Sequence, residues 1–176
     1  PDDEHYTTAK DLCNIARTAM SNATFSQVVS TKLYNGEFRQ FINKNKLLNA
    51  MEGANGVKTG YTQKAGRCLV SSAKRDGMDV VCVVLNCYDM FERSQNIMEN
   101  CFERYTCEII PADMAFIYKG KPCALNEECS LIVERNKPLQ FEITAPDADG
   151  DRNAVAKLEI LCENELLFSH NLYTIK

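Results

Sequence analysis

The stretch from Val57 to Asn86 constrains the fold most, because three strand-like segments follow one another with only short turns between them. The last segment contains the continuous apolar run 80–85, which is typical of a strand covered on both faces. Asp76-Gly77 is a preferred tight-turn dipeptide, so the second and third strands should pair antiparallel. The predicted strands are Val57–Thr62, Arg67–Ala73 and Met78–Asn86.

Helical periodicity lies on both sides of this predicted sheet. Thr8–Asp11 resembles a capping box, and apolar residues then recur at helical spacing as far as Met20. Asp89–Tyr105 carries one apolar stripe and is predicted to pack on the strands. Between the first helix and the sheet, the sequence predicts a short helix over Ala23–Val29 and a hairpin with a type I′ turn at Asn35-Gly36.

After Pro111 the pattern changes to short apolar segments separated by turn residues, which is typical of a small all-β domain of sandwich or barrel type. The chain is therefore predicted to be α+β, with residues 1–106 forming a mixed domain and residues 107–176 a small β domain. The predicted strands of the second domain are Ala115–Tyr118, Ser130–Val133, Leu139–Thr144, Val155–Cys162 and Leu166–Leu172.

Composition excludes some classes of function. The chain has 176 residues, of which 45% are hydrophobic and 25% charged, as in ordinary soluble globular proteins. Its net charge is −4 and its Lys and Arg residues are scattered, which argues against a nucleic-acid partner. The run 80–85 is far shorter than the roughly 20 residues of a membrane-spanning helix. The amino-terminal residues lack a signal-peptide pattern, and neither end is taken as a natural terminus.

Metal sites find little support in the sequence. The nine cysteines form no C-x-x-C pair, and His5 and His170 are the only histidines, so no zinc site is predicted. Most thiols are expected to be small buried apolar side chains, with a Cys123–Cys129 disulfide as an alternative for one pair. Asp147–Asp151 resembles a calcium loop only superficially, because Gly and Glu are missing where an EF-hand loop needs them. A polar hairpin turn is predicted there instead.

Lys58-Thr59-Gly60 is one of three signature motifs of the serine penicillin-recognising enzymes. Several segments around it match the low-molecular-mass D-alanyl-D-alanine carboxypeptidases, which are penicillin-binding proteins, in order and spacing. Residues 1–106 thus resemble the second part of that family's transpeptidase-like catalytic domain, and the β-rich tail is similar to its carboxy-terminal domain. The matching segments are His5–Leu12, Asn43–Leu48, Gly56–Thr62, Ala65–Val70, Ala73–Met78 and Val80–Asn86, followed by a helix that contains Arg93.

The resemblance implies substrate-binding roles for Lys58, Thr59, Gly60 and Tyr61. Lys58 would place an ammonium group beside the nucleophile and near a substrate carboxylate, to which the Thr59 hydroxyl would donate. Gly60 would let the substrate backbone approach closely. The backbone N–H of Tyr61 would be one of two oxyanion donors. No metal or other cofactor is expected.

The family's activity defines the expected partners and location. An active-site serine, activated by the lysine of an S-x-x-K motif, is acylated by the penultimate D-Ala while the terminal D-Ala leaves. The expected partners are therefore peptidoglycan stem peptides ending in D-Ala-D-Ala, and the β-lactams that trap the acyl stage. The expected location is the cell envelope, at the outer face of the cytoplasmic membrane. Membrane contact is expected only through an anchor that lies outside this chain.

The nucleophile motif is where the chain departs from the family. Ser71-x-x-Lys74 fits the bare S-x-x-K pattern, but it follows the Lys-Thr-Gly motif on a predicted strand, whereas the family's nucleophile precedes that motif on a helix. We interpret Ser71 as part of a solvent-facing strand end. Ser21-Asn22 lacks the spacing of the family's Ser-x-Asn motif. The catalytic serine and lysine are therefore expected upstream of this chain, which alone is predicted to be inactive.

Two alternatives stay open at the level of sequence. One is a non-catalytic binding or scaffolding module of the cell envelope with the same fold. An S-x-x-K motif upstream in the reading frame would favour the enzyme over the module. The other is a β-lactamase-type hydrolase, which shares the three motifs. Release of D-Ala, as opposed to turnover of penicillin, would favour the carboxypeptidase.

Overall fold

The computed structural model describes residue 2 and residues 4–175, and it has the α+β architecture that the sequence predicts. The chain divides into two compact units, Pro1–Arg104 and Tyr105–Lys176, each of which is described by itself. The elements of the first unit are α1 (Ala9–Met20), α2 (Ala23–Ser30), β1 (Leu33–Asn35), β2 (Gln40–Ile42), α3 (Leu47–Ala50), β3 (Ala54–Thr62), β4 (Gly66–Arg75), β5 (Met78–Val84) and α4 (Met90–Arg104).

The main sheet of the first unit is antiparallel, with the strand order β3-β4-β5. Val81 of β5 lines a cavity together with Cys13 of α1, whereas the next residue, Cys82, lies beside Ser94 of α4. Because successive side chains of a strand point to opposite faces, α1 and α4 cover opposite faces of the sheet. This double cover explains why β5 is almost continuously apolar.

Side-chain caps set the starts of α1 and α2. The Thr8 hydroxyl oxygen accepts a hydrogen bond from the Asp11 N–H (3.1 Å), and the Asp11 carboxylate accepts one from the Thr8 N–H (3.3 Å). This reciprocal pair is the predicted capping box. Asn22 is the N-cap of α2, and its Oδ1 accepts a hydrogen bond from the Phe25 N–H (3.0 Å).

The hairpin between α2 and the main sheet has a different turn from the predicted one. Asn35 of β1 lies directly opposite Gln40 of β2, so the loop consists of residues 36–39. A type I′ turn at Asn35-Gly36 needs positive φ at both residues, and Asn35 instead belongs to β1. The Gly36 N–H donates to the Arg39 carbonyl oxygen (3.0 Å) and closes the longer loop. The predicted hairpin is confirmed, but its predicted turn type is wrong.

The second unit is built from strands in two sheets that share one core. A five-stranded sheet has the order β10-β11-β12-β8-β7, and β6 pairs with β9. One apolar cluster contains Leu131 of β9 together with Leu158 of β11 and Leu172 of β12, all buried. The strands are β6 (Tyr105–Ile110), β7 (Phe116–Tyr118), β8 (Lys121–Ala124), β9 (Cys129–Glu134), β10 (Leu139–Thr144), β11 (Ala156–Cys162) and β12 (Glu165–Thr174).

Three elements, α3, β6 and β8, have no counterpart in the sequence prediction. β6 follows α4 directly and pairs with β9 from Tyr105↔Glu134 to Ile110↔Cys129, in the segment where a boundary after residue 106 was expected. The nearest paired residues, Ile110 and Cys129, are 19 residues apart in sequence, so no local pattern indicates the pairing. β8 begins at Lys121, which the sequence suggests is part of a turn. Lys121 lies directly opposite Tyr118 of β7, so the turn consists of residues 119–120 alone and connects two strands of a hairpin.

The cysteines are all free thiols, so the alternative of a Cys123–Cys129 disulfide is wrong. Only Cys82 and Cys123 are buried, and the expectation that most thiols are buried therefore holds for two of the nine. Burial raises the pKa of both of these thiols. Among the helices that the structure describes, none is long and apolar enough to cross a membrane.

Candidate active-site strand

The Lys-Thr-Gly motif occupies the half of β3 in which the strand becomes exposed. Gly56 and Val57 are buried, whereas Lys58 and Gly60 are exposed and Tyr61 is 70% exposed. β3 is also an edge strand, since β4 is its one hydrogen-bonded neighbour among the described strands. The motif therefore lies on an exposed edge of the sheet.

The outer edge of β3 presents the backbone groups of Thr59 and Tyr61. Tyr61 lies directly opposite Arg67 of β4, and the Arg67 carbonyl accepts a hydrogen bond from the Cys87 N–H (2.8 Å) on the far side of β4. The backbone groups of Arg67 thus point away from β3, which makes Tyr61–Arg67 a non-hydrogen-bonded pair. By alternation, the N–H and C=O groups of Tyr61 and Thr59 point to the outer edge, where no described strand pairs with them.

The Lys58 ammonium group lies at the same edge. Its Nζ donates a hydrogen bond to the Thr59 carbonyl oxygen, one of the outward-pointing groups. Lys58 shares its face of β3 with Gly56 and Gly60, because the three are two residues apart. A Cβ atom at Gly56 would lie 2.9 Å from Val29 Cγ2, so this is the face on which α2 packs. The Lys58 ammonium group and the outward-pointing backbone groups of Thr59 and Tyr61 therefore lie together at one exposed edge of the sheet.

Gly60 is not required by the fold. A Cβ atom there would come no closer than 3.8 Å to any neighbouring atom, which is ordinary van der Waals contact, and the φ angle lies outside the left-handed region. Gly66 differs on both counts, since its φ is +67° and a Cβ atom would lie 2.1 Å from Asn86 Oδ1. The missing side chain at Gly60 thus keeps the surface above the strand open and does not serve the packing below it.

Two asparagines fix the start of the motif strand. Asn45 is 2% exposed, and its Nδ2 donates a hydrogen bond to the Gly56 carbonyl oxygen (2.7 Å). Asn43 Nδ2 donates to the carbonyl oxygens of Val29 and Thr31 (both 3.1 Å), and Asn43 Oδ1 accepts from the Asn45 N–H (3.0 Å). The two amides therefore connect the end of α2 to β3. These are the asparagines of the Asn43–Leu48 segment that carries part of the family resemblance.

Comparison with known proteins identifies the family of this chain. The model of the peptidase S11 family, D-alanyl-D-alanine carboxypeptidase, matches residues 1–89, half of the chain. The chain belongs to this family. The D-alanyl-D-alanine carboxypeptidase of Streptomyces sp. strain K15 is 42% identical over 91 residues, which cover 46% of this chain and 31% of that protein. The chain spans less than a third of the length of the curated relatives that it matches.

Solved structures show that the family fold extends over both units. Penicillin binding protein 5 from Haemophilus influenzae has a TM-score of 0.73 at 19% identity, covering 99% of this chain and 57% of that chain. The D-alanyl-D-alanine carboxypeptidase DacD from Francisella tularensis has a TM-score of 0.63 at 20% identity, covering 99% of this chain and 62% of that chain. At these identities the likeness shows the fold alone, and it confirms the predicted α+β class.

Ser71 cannot act as a nucleophile in this carboxypeptidase fold. It is fully buried in β4, the central strand, and its hydroxyl donates to the Cys82 carbonyl oxygen (3.3 Å). Lys74 is three residues away and so points to the opposite face of β4, where its Nζ pairs with Asp79 (2.9 Å). The interpretation of Ser71 as a solvent-facing strand end is wrong, because β4 is covered by helices at this position.

Two residues beside the motif were not predicted to belong to a site. The guanidinium carbon of Arg67 lies 4.7 Å from the ring centroid of Tyr88, and both residues line a cavity that also includes Tyr61. Arg67 becomes a neighbour of the motif only through the register in which it faces Tyr61. The signal that could have indicated this register is Gly66, whose positive φ ends the turn between β3 and β4.

The Asp147–Asp151 segment lies in the loop between β10 and β11, where a polar hairpin turn was predicted. The Asp147 carboxylate pairs with Lys157 (3.1 Å). The Asp151 carboxylate accepts hydrogen bonds from the Asn153 N–H (2.9 Å) and the Tyr173 hydroxyl (3.1 Å), and these bonds hold its pKa below the usual range. Both carboxylates thus have protein partners, and the described residues contain no cluster of potential metal ligands.

Proposed function

We propose that β3 is the substrate-binding strand of a serine-type D-alanyl-D-alanine carboxypeptidase, in which Lys58, Thr59, Gly60 and Tyr61 hold the peptide. The observation that carries this proposal is the outer edge of β3, where outward-pointing backbone groups lie beside an ammonium group. An edge of this kind binds an extended peptide through main-chain hydrogen bonds. Membership of the family supports D-Ala-D-Ala as the end of that peptide.

The roles of the four residues follow from their chemistry. The terminal carboxylate of the peptide binds between the Lys58 ammonium and the Thr59 hydroxyl, which donate charge-assisted hydrogen bonds. Gly60 lets the peptide backbone lie close to the strand. The carbonyl oxygen of the penultimate D-Ala accepts a hydrogen bond from the Tyr61 N–H, the kind of oxyanion contact worth about 10²–10³ in rate.

The reaction has two steps. A serine Oγ attacks the carbonyl carbon of the penultimate D-Ala, its proton passes to the departing nitrogen, and the terminal D-Ala leaves. Water then attacks the ester, and its proton returns to the serine oxygen as the acid is released. In this proposal the serine and its base come from residues other than these 176, which is supported by the burial of Ser71. The chain alone is then inactive.

The proposed substrates are peptidoglycan stem peptides ending in D-Ala-D-Ala, and the proposed inhibitors are β-lactams, which acylate the same serine. The family consists of bacterial cell-wall peptidases, and this supports a location outside the cytoplasm, in the cell envelope. An anchor beyond this chain would provide any membrane contact.

The test compares the full-length protein with the 176-residue chain. D-Ala release from an acetylated tripeptide ending in D-Ala-D-Ala is measured for both, and intact mass is recorded after incubation with penicillin. We expect release and one penicillin adduct for the full-length protein, and neither for the chain. An adduct on the chain would contradict an external nucleophile. A full-length protein without release or adduct would indicate a scaffolding module, and rapid penicillin turnover without D-Ala release would indicate a β-lactamase.

A further inference from the structure

A cavity of about 600 Å³ lies at the end of the motif strand, on the side of β4. Its lining residues are Tyr61, Gly66, Arg67, Asn86 and Tyr88. Arg67 is the one charged residue among them. The cavity is continuous with the proposed peptide site, because Tyr61 belongs to both.

The wall opposite β3 is held in place by backbone contacts. The Cys87 N–H donates to the Arg67 carbonyl oxygen (2.8 Å), which ties the residue before Tyr88 to β4. Gly66 at φ +67° allows the Asn86 side chain to approach its Cα closely. The side chains of Arg67 and Tyr88 then stack, with the guanidinium carbon 4.7 Å from the ring centroid.

The charge of Arg67 is available to a ligand. Among the described residues no carboxylate pairs with its guanidinium group, which stacks on the Tyr88 ring. Asp89, the acidic residue that follows Tyr88 in sequence, already accepts a hydrogen bond from the Cys87 thiol (3.1 Å) and lies 3.7 Å from Arg93. A stacked guanidinium group keeps its outer N–H donors free, and these fit a carboxylate in a fork geometry.

The proposed binding mode gives the direction of the peptide past this cavity. With its terminal carboxylate at Lys58 and Thr59 and its penultimate carbonyl at Tyr61, the peptide runs antiparallel to β3. The residue before D-Ala-D-Ala then lies one strand step, about 3.3 Å, beyond Tyr61, next to the cavity. In this binding mode the peptide lies about 4.8 Å from β3, and β4 lies about 4.5 Å beyond β3 on its other side. Only a long side chain of the peptide therefore reaches Arg67.

We propose that Arg67, held against Tyr88, is a specificity-determining residue that binds a carboxylate at the end of a long side chain on the residue preceding D-Ala-D-Ala. This inference rests on the proposed function and deepens it. It names the class of stem peptide that the site prefers, which is one with an anionic side chain at the third position from the carboxyl end.

The test uses two acetylated tripeptides that differ in one group. The first residue is L-2-aminopimelate in one and its ω-amide in the other, and both end in D-Ala-D-Ala. In the full-length enzyme we expect kcat/KM to be about threefold higher for the carboxylate peptide, mainly through KM, as for one ion pair at an exposed site. Arg67→Gln should lower kcat/KM for the carboxylate peptide to the value for the amide peptide and so abolish the preference.

Arg39→Gln is the matched control, because Arg39 also stacks on an aromatic ring, that of Phe41 at 4.4 Å, away from β3. It should keep the preference, as should Tyr88→Phe, which retains the ring. Equal rates for both peptides in the wild type, or a preference that survives Arg67→Gln, would overturn the subsite and leave the carboxypeptidase proposal standing. Failure to hydrolyse either peptide would overturn the carboxypeptidase proposal and the subsite with it.

Discussion

The two halves of β3 differ in what holds them. The first half, Ala54–Val57, is packed under α2 and tied by the buried Asn45 amide, which donates to the Gly56 carbonyl oxygen at 2.7 Å. The second half, Lys58–Thr62, has an unpaired outer edge and carries a glycine at which a Cβ atom would make only ordinary van der Waals contacts. One strand thus contains a segment specified by the fold and a segment whose residues the fold does not need.

With the proposed function, this contrast predicts that stability and activity depend on different parts of nine consecutive residues. Substitutions in and around the first half should lower the free energy of unfolding, and substitutions in the second half should lower activity at unchanged stability. Exposed side chains away from special features change stability by only about 0.5 kcal/mol or less. A rigid first half also positions the second, because a strand transmits its orientation along the backbone.

Lys58→Ala should have the largest effect on activity. We expect kcat/KM of the full-length enzyme for D-Ala release to fall by about 10²–10³, as for loss of a preorganised charged donor. The melting temperature should stay constant, because Lys58 is exposed and its hydrogen bond goes to the adjacent Thr59 carbonyl. Lys121→Ala, at an exposed lysine on β8, is the matched control and should leave both quantities unchanged. A similar loss of activity in the control would break the contrast.

Asn45→Ala should have the largest effect on stability. Removing this buried amide leaves the Gly56 carbonyl oxygen without that donor and should lower the free energy of unfolding by about 2–3 kcal/mol. Urea unfolding of the 176-residue chain measures it. Asn100→Ala is the control, since the Asn100 amide donates to the Asn96 carbonyl oxygen (3.3 Å) on an exposed helix surface. Equal losses in the two variants would show that Asn45 does not anchor the strand.

A pair of glycines sharpens the comparison further. Gly60→Ala should lower kcat/KM about tenfold at unchanged stability, because the new methyl group makes only ordinary van der Waals contact with the protein, 3.8 Å from Cys68 Cβ, but obstructs a close-lying peptide. Gly66→Ala should destabilise the chain by at least about 1–2 kcal/mol, since its φ is +67° and Asn86 leaves no room for a Cβ atom. The measurements are steady-state kinetics and urea unfolding of both variants. A stability loss in Gly60→Ala equal to that in Gly66→Ala would contradict the division of β3.

The sequence predicts those parts of the fold that depend on local patterns. The capping box at Thr8–Asp11, the three strands of the main sheet and the amphipathic helix α4 all follow from spacing and turn residues, and all are confirmed. β6 was missed because its partner, β9, is distant in sequence and no turn connects them. The turn type at Asn35-Gly36 was wrong because strand pairing at Asn35 outweighed the local preference of the dipeptide.

The site could be predicted only where a motif marks it. Lys58-Thr59-Gly60 identifies the strand from sequence, but the exposed edge depends on which strands pair with it. Arg67 joins the same region through cross-strand register, which a single sequence does not reveal. The strand position of Ser71-x-x-Lys74 argued against a nucleophile motif, but the expected solvent exposure of Ser71 was wrong, because its side chain is fully buried. Motifs therefore indicate chemistry, and burial and register decide whether it is accessible.

The smallest expected effect concerns a half-buried ion pair between β4 and α4. Arg75 at the end of β4 donates two hydrogen bonds to the Glu99 carboxylate of α4 (2.6 and 2.8 Å), and these bonds lower the pKa of Glu99. A carboxyl group with a lowered pKa in the folded state stabilises the protein above its unfolded pKa, and this contribution is lost as the pH falls through the folded value.

Glu99→Gln should therefore lower the free energy of unfolding by about 1 kcal/mol or less at neutral pH, because the Glu99 side chain is 35% exposed. The difference from the wild type should shrink as the pH falls below about 4. Urea unfolding at pH 7 and pH 3 measures it, and a difference that is the same at both values would show that the charge of Glu99 does not hold α4 to the sheet.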